Sequence, residues 1–374
     1  MQFGWTDEQT RLHQRMRALG SDVAAVNPPE RMRALAAAGA LALPLPARHG
    51  GAEHDLVTTA YAFEGLGETL DDAGLLLAAG AHLFGVALVL ARVGTEAQCA
   101  RWLPELASGE RLASVAVTEH RSGSNVAAVA GMVEPDPAGL RATGEKCYVT
   151  NAERAGLFLF VGRTAEQARG LTAVLVPRET PGVVVGKPLE MAGLRTAGVA
   201  PVSFQGCLVS AGAVLGKQGA GMAVFHLAMG FERALLLAFR LGAMRRQLDE
   251  ALTFAARRTL GEASILEHDA VAHRLARMKR RLETSRLLVY RAAWELDTGE
   301  RAAGSAALAK WHVAESAAES ALDAFALRGA AGCLEESGLP GAIDDALAAT
   351  IHSGTADVLA TVVARSLAPH RQSG

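Results

Sequence analysis

The feature that most constrains this chain is a change of sequence character that happens twice. Up to about residue 115 it is rich in Ala, Leu and Glu with apolar residues at helical spacing, as in the run from Asp71 through Leu75 to Val89. Between about 116 and 217 short Val- and Phe-rich runs take over, Leu157–Val161, Thr172–Val176 and Val183–Val185, punctuated by Pro135-Asp-Pro137 and Pro181-Gly182. From about 218 onward apolar residues return to helical intervals, for example Val271, Leu275, Met278 and Leu282, with only Pro340 and Pro369 to interrupt them. The pattern predicts a mainly α protein with a β insert: an N-terminal helical domain over 1–115, a middle β domain over 116–217 and a C-terminal helical bundle over 218–374. No repeat or Ser/Gly-rich linker separates the blocks, so they should pack on one another.

Composition removes several classes of function. Lys and Arg number 37 against 39 acidic residues, and no run of five or more basic residues offers a phosphate-binding stripe, so no nucleic-acid partner is expected. The start, MQFGWTDEQTRLHQ, lacks a basic region followed by an apolar one, and no uninterrupted apolar stretch is read as a membrane span; a cytoplasmic enzyme without membrane attachment is expected. Cys99, Cys147, Cys207 and Cys333 are too far apart for a local zinc site and read as reduced and structural. The histidines show no HxxxH or HExxH spacing, so no metal is expected. Neither a Gly-x-Ser-x-Gly elbow nor a Gly-x-Gly-x-x-Gly fingerprint after a strand is found.

Four segments in order carry a resemblance. Val117-Thr-Glu-His-Arg-Ser-Gly-Ser-Asn125 offers small hydroxyl residues and a glycine whose exposed N–H groups can donate to ring oxygens or a pyrophosphate. Gly144-Glu-Lys-Cys-Tyr-Val-Thr-Asn151 is a strand with an aromatic and a Thr near its end. Ala256-Arg-Arg-Thr-Leu-Gly261 closes a helix, and Gly329-Ala-Ala-Gly332 is followed at a fixed distance by Ile351-His-Ser-Gly-Thr-Ala-Asp357. These segments resemble the flavin-binding stretches of the acyl-CoA dehydrogenase family. The resemblance implies that Val117, Thr118, Gly123, Ser124, Tyr148 and Thr150 hold the flavin, that Arg257 and Thr259 serve its phosphate end, and that Gly329, Thr355 and Asp357 complete the FAD site. The sequence departs from the family pattern at Asp344, where an Arg is usual, and at Asp269 and Ala326, where Gln is usual.

Most relatives carry the catalytic base as a Glu before Gly-Thr in the last segment; this chain has Ser353 there. By itself Ser353 reads most simply as a helix-terminus residue. A replacement carboxylate stands earlier. On a helix, Met222, Phe225, Met229, Glu232 and Leu236 fall on one narrow face, so Glu232 sits in an apolar stripe where burial would raise its pKa toward the range of a general base. The bland alternative is a salt bridge to Arg233 or Arg240. The isovaleryl-CoA and long-chain subgroup, which supplies its base from this earlier helix, is similar to the Glu232-Arg233 pair, with Arg233 and Ser353 near the substrate.

The function so implied is flavin-dependent α,β-dehydrogenation of an acyl thioester on coenzyme A or an acyl carrier protein, with Glu232 removing the α-proton and FAD accepting the hydride. The resemblance also implies an electron-transfer flavoprotein as acceptor and a homotetramer or homodimer. The alternatives are a flavin-dependent monooxygenase on the same fold and a flavin-less, non-catalytic homologue. Since Arg257 has a role only for a dinucleotide, purified protein should be yellow and release FAD, not FMN, on denaturation; chromatography of the released flavin checks this.

Overall fold

The computed structural model describes residues 4–164, 170–300 and 302–367; Pro369 and the rest of the C-terminal end of the third block lie outside them. Helices α1 (Asp7–Ala24), α2 (Arg31–Ala37), α3 (Leu56–Thr69), α4 (Ala73–His82), α5 (Leu88–Val93) and α6 (Glu96–Ala107) form the first layer. Thr6 and Gln9 close a capping box on α1, and Thr95 and Gln98 do the same on α6, each satisfying amides the first turn leaves free. The Gln98 amide also donates to the carbonyls of Gly212 and Val214, 2.8 Å each, tying α6 to the next domain.

The middle domain is a seven-stranded sheet: β1 (Leu112–Ala116), β2 (Met132–Asp136), β3 (Gly139–Val149), β4 (Ala155–Thr164), β5 (Leu171–Pro177), β6 (Val183–Val185) and β7 (Ala200–Val209). The strand order is β1-β4-β2-β3-β7-β6, with β5 antiparallel on β4. The three Val- and Phe-rich runs all lie in strands. Pro135 does not break one: it lies inside β2, which among the described residues pairs with β4 only at Met132 and Val133, so Pro135 itself stands beyond that pairing, where its missing N–H is tolerated. A buried ion pair ties this sheet to the segment that follows β1. Lys146 Nζ lies 2.6 Å from Glu119 Oε1 and also donates to the carbonyls of Val117 and Val161, while Glu119 accepts from the amides of Ala130 and Gly131.

The chain then returns to helices: α7 (Gly221–Leu235), α8 (Ala238–Arg257), a two-residue hairpin of β8 (Thr259–Leu260) and β9 (Ala263–Ser264), α9 (Asp269–Asp297), α10 (Ala303–Arg328), α11 (Leu339–Ala349) and α12 (Ala356–Leu367). On α9, Leu275, Met278 and Leu282 are buried and Val271 is half-buried, as the helical period requires. Glu64 on α3 joins the two helical layers, accepting from Arg286 Nε at 2.8 Å and from the Tyr290 hydroxyl. Ala73–Val93 and Gly221–Arg257 are long and apolar enough to cross a membrane, but 94% and 61% of their windows are buried within the protein, so they serve as its core helices.

Breaking the Lys146–Glu119 pair from one side leaves a buried charge without its partner. Lys146→Met should therefore cost about 3–5 kcal/mol of stability, and adding Glu119→Gln should recover part of it, as read from chemical-denaturation midpoints.

Candidate active site

Glu232 lies one turn from the end of α7 and is 6% exposed. Met229 and Leu236 on the same face are buried, while Met222 and Phe225 are half-buried. The carboxylate is held on two sides. Its Oε2 accepts a hydrogen bond of 2.6 Å from Ser353 Oγ, and its Oε1 occupies the space beside Gly85, where an added Cβ would come within 2.5 Å. Gly85 sits in a π-helical turn, Leu83–Ala87, that joins α4 to α5 and widens the helix at the point where Glu232 enters.

No ion pair to Glu232 forms among the described residues. Arg233 Nε turns instead to the carbonyl of Ser353 at 2.9 Å, and Arg240 Nη2 donates to the carbonyl of Asp345 at 2.6 Å. Burial pushes the Glu232 carboxyl up to about 7, opposed by the Ser353 hydrogen bond and the nearby Arg233 charge. Desolvation likewise pushes Lys310 down to about 7, with the Arg233 charge adding to it, and burial takes His352 to about 3. Both ring nitrogens of His352 are buried without a hydrogen-bond partner.

Ser353 does not act as a helix cap here. It lies in the turn between α11 and α12 at φ +52°, with its side chain committed to Glu232. Thr355 is half-buried at the entry to α12, its carbonyl accepting from Leu359, and Asp357 is exposed in the first turn of that helix.

The β domain comes close to this carboxylate through β1. A Cβ on Gly85 would meet Val115 as well as Glu232, and Ser114 Oγ donates 2.5 Å to the carbonyl of Thr150. Tyr148 stands in a register shift near the end of β3 at φ +54° and is 61% exposed, a flat ring held open to solvent. The side-chain hydroxyls of Thr118, Ser124 and Thr150 have no hydrogen-bond partner among the described residues, and a Cβ at Gly123 would meet nothing within 4 Å. Val117 is buried, its carbonyl taken by Lys146. An open aromatic face flanked by unused hydroxyls fits an isoalloxazine ring.

The remaining predicted residues lie elsewhere. Arg257 is the last residue of α8, whose 20 residues run roughly 30 Å away from the helix start next to α7. Arg257 lines a cleft of about 630 Å³ with Arg245, Arg246 and Arg328, the residue before Gly329. Arg257 has no ion-pair partner among the described residues, and Thr259 is exposed beside it. The structure thus brings Glu232, Arg233 and Ser353 together, links Thr150 to them through Ser114 and Val115 of β1, with Tyr148 two residues from Thr150, and collects Arg257, Thr259 and Gly329 near the far end of α8. Gly85, Lys146 and Lys310 contact these residues or the segments that carry them and were not among those the sequence singled out; of these only Lys146 gave a signal, as a lysine inside the Gly144–Asn151 strand.

Sequence profiles of the acyl-CoA dehydrogenase N-terminal, middle and C-terminal domains match residues 9–110, 114–207 and 219–368. The chain belongs to the acyl-CoA dehydrogenase family. As a member it is a flavin-dependent oxidoreductase of acyl thioesters. It is 37% identical over 333 residues, 88% of each chain, to an L-prolyl-[peptidyl-carrier protein] dehydrogenase of Pseudomonas fluorescens. Among solved structures it is similar to the prolyl acyl carrier protein oxidase AnaB, at 31% identity and a TM-score of 0.95 over 98% of this chain and 100% of that one. It is also similar to an FAD-dependent dehydrogenase, at 33% identity and 0.95 over 98% and 99%.

The raised Glu232 carboxyl has a consequence for stability. Between about pH 4.5 and about 7 the native chain keeps a proton on Glu232 that the unfolded chain has released, so this group's contribution to stability is full below 4.5 and is lost as pH rises through 7. Glu232→Gln should flatten the decline of stability over that window; denaturation series at several pH values check this.

Proposed function

We propose that this chain dehydrogenates a prolyl group held as a thioester on a peptidyl carrier protein, with Glu232 as the base that removes the α-proton. The observation that carries the chemistry is a carboxylate buried against apolar side chains, free of any ion pair among the described residues and poised near neutrality. The similarity to two prolyl-carrier enzymes supports the substrate. A thioester makes the α-proton acidic, and a base near pH 7 combines ionisation with enough basicity to take it. FAD, when bound, supplies the two-electron acceptor for the β-hydride. Loss of the α-proton and the β-hydride leaves a carbon–carbon double bond between those atoms.

The chain's own residues prepare that step. Gly85 leaves room for the carboxylate, Ser353 orients it, and the buried faces of α7 and the π-turn exclude water from it. Thr118, Thr150 and Tyr148 would receive the ring of FAD, with Val117, Gly123 and Ser124 alongside. Arg257 at the end of α8, with Thr259 after it and Gly329 at the end of α10, lies too far away to share that ring end, and the group suits the phosphates of a flavin bound to a second copy of the chain. Leu252 and Leu260 near them are 44% and 67% exposed, apolar surface that a homodimer or homotetramer would cover. An electron-transfer flavoprotein is the acceptor in this reading, with a cytoplasmic location; oxygen uptake matched to substrate consumption, without that partner, would replace the acceptor and leave the base in place.

Glu232→Gln should retain FAD while slowing flavin reduction by prolyl carrier protein on the order of 10²- to 10⁴-fold, or roughly 3–5 kcal/mol of barrier. In the wild type, reduction should rise about tenfold per pH unit up to about pH 7 and level off above it, because only the ionised carboxylate accepts the proton. Stopped-flow absorbance measures both, and wild-type reduction rates in Glu232→Gln would sink the assignment. Adding Ser353→Glu to that variant should restore part of the rate, since the two side chains meet.

A further inference from the structure

A half-buried arginine and a buried lysine from different helices meet on consecutive carbonyls of the turn that carries Ser353. Arg233 Nε of α7 donates to the Ser353 carbonyl at 2.9 Å, and Lys310 Nζ of α10 donates to the Gly354 carbonyl at 2.7 Å. Lys310 is 1% exposed and has no carboxylate partner among the described residues. Burying an ammonium without a counter-ion is costly, and a single carbonyl offsets only part of that cost.

The backbone these cations grip is itself strained. Ser353 stands at φ +52° and Gly354 at φ +113°, a region that only glycine enters without penalty. A non-glycine residue stays there only when its surroundings over-determine it. The two cations do so from opposite helices, and the outcome is a serine hydroxyl aimed at Glu232 Oε2 from 2.6 Å.

We infer that Lys310 is a positioning residue for the base: by holding the Gly354 carbonyl it keeps Ser353 in the one conformation from which its hydroxyl donates to Glu232. The role in turnover rests on Glu232 being the base, whereas the coupling of Lys310 to Glu232 through Ser353 is independent of it. Around the carboxylate and its turn stand Arg233 from α7, Arg240 from α8, Lys310 from α10, Asp345 from α11 and His352 on the turn itself. Of these, Lys310 alone holds the Gly354 carbonyl among the described residues.

The test follows the protonation of Glu232 directly, by pH-difference infrared spectroscopy of the flavin-loaded enzyme. The buried carboxyl band is assigned by its loss in Glu232→Gln. Ser353→Ala, which removes a hydrogen bond to the charged form, should move the midpoint upward by on the order of one pH unit. Lys310→Met should move it in the same direction, and the Lys310→Met, Ser353→Ala double variant no further than Ser353→Ala alone, because both changes remove one interaction. If Lys310→Met does not fold, Lys310→Gln, too short to reach the same carbonyl, gives the same comparison. An unmoved midpoint in the Lys310 variant, or shifts that add in the double variant, would overturn the inference. Wild-type flavin reduction by Glu232→Gln would refute the base instead, whatever the midpoints do.

Discussion

The site depends on keeping a buried carboxylate unpaired. A Glu placed among apolar side chains normally finds a cation, and the nearest candidate, Arg233, is its neighbour in sequence. Had the two paired, the attraction would have favoured the charged form and made Glu232 a weak base. Instead the guanidinium is committed to the Ser353 carbonyl, and Arg240 to that of Asp345. The positive charges remain close enough to limit the cost of ionising Glu232, yet among the described residues none pairs with it. One hydroxyl, that of Ser353, is its only hydrogen-bond partner among the described residues.

That arrangement needs room inside a packed core, and the π-turn supplies it. A side chain larger than hydrogen at Gly85, within that π-turn, would put atoms where the carboxylate lies. The same turn leans on Val115 of β1, whose neighbour Ser114 fixes the backbone of Thr150. The pair of Lys146 and Glu119 locks the segment after β1 against β3 and β4. The Glu232 carboxylate and the backbone of Thr150 are therefore set relative to one another through a short chain of buried contacts, and rigidity of this kind is what the proposed proton and hydride transfers from adjacent carbons require.

How much of this the sequence disclosed follows from how local each feature is. The three blocks and their strands were legible because periods of 3.6 and 2 are written in neighbouring residues. Glu232 was legible for the same reason, as a charge on an otherwise apolar helical face. Pro135 misled because its tolerance depends on which strand flanks β2, a fact of pairing and not of composition. The grip of Lys310 on Gly354 spans 44 positions and that of Ser353 on Glu232 spans 121, and neither follows from spacing. The π-turn left no signature either, since Leu83–Ala87 has the apolar makeup of any core helix.

With Glu232 as the proposed base, its contact with Ser353 also explains how a family can keep its base at either of two places. Oγ of one and Oε2 of the other lie 2.6 Å apart, so side chains rooted on the α11–α12 turn and on α7 end at nearly the same point. A carboxylate there can be delivered from either backbone, provided the other contributes something small. A Glu at both would set two carboxylates against each other and raise the pKa of one steeply. A small residue at both would leave no base. Ser353 is small enough to yield the space and polar enough to orient what fills it, which ties the identity of the residue before Gly354 to the presence of Glu232.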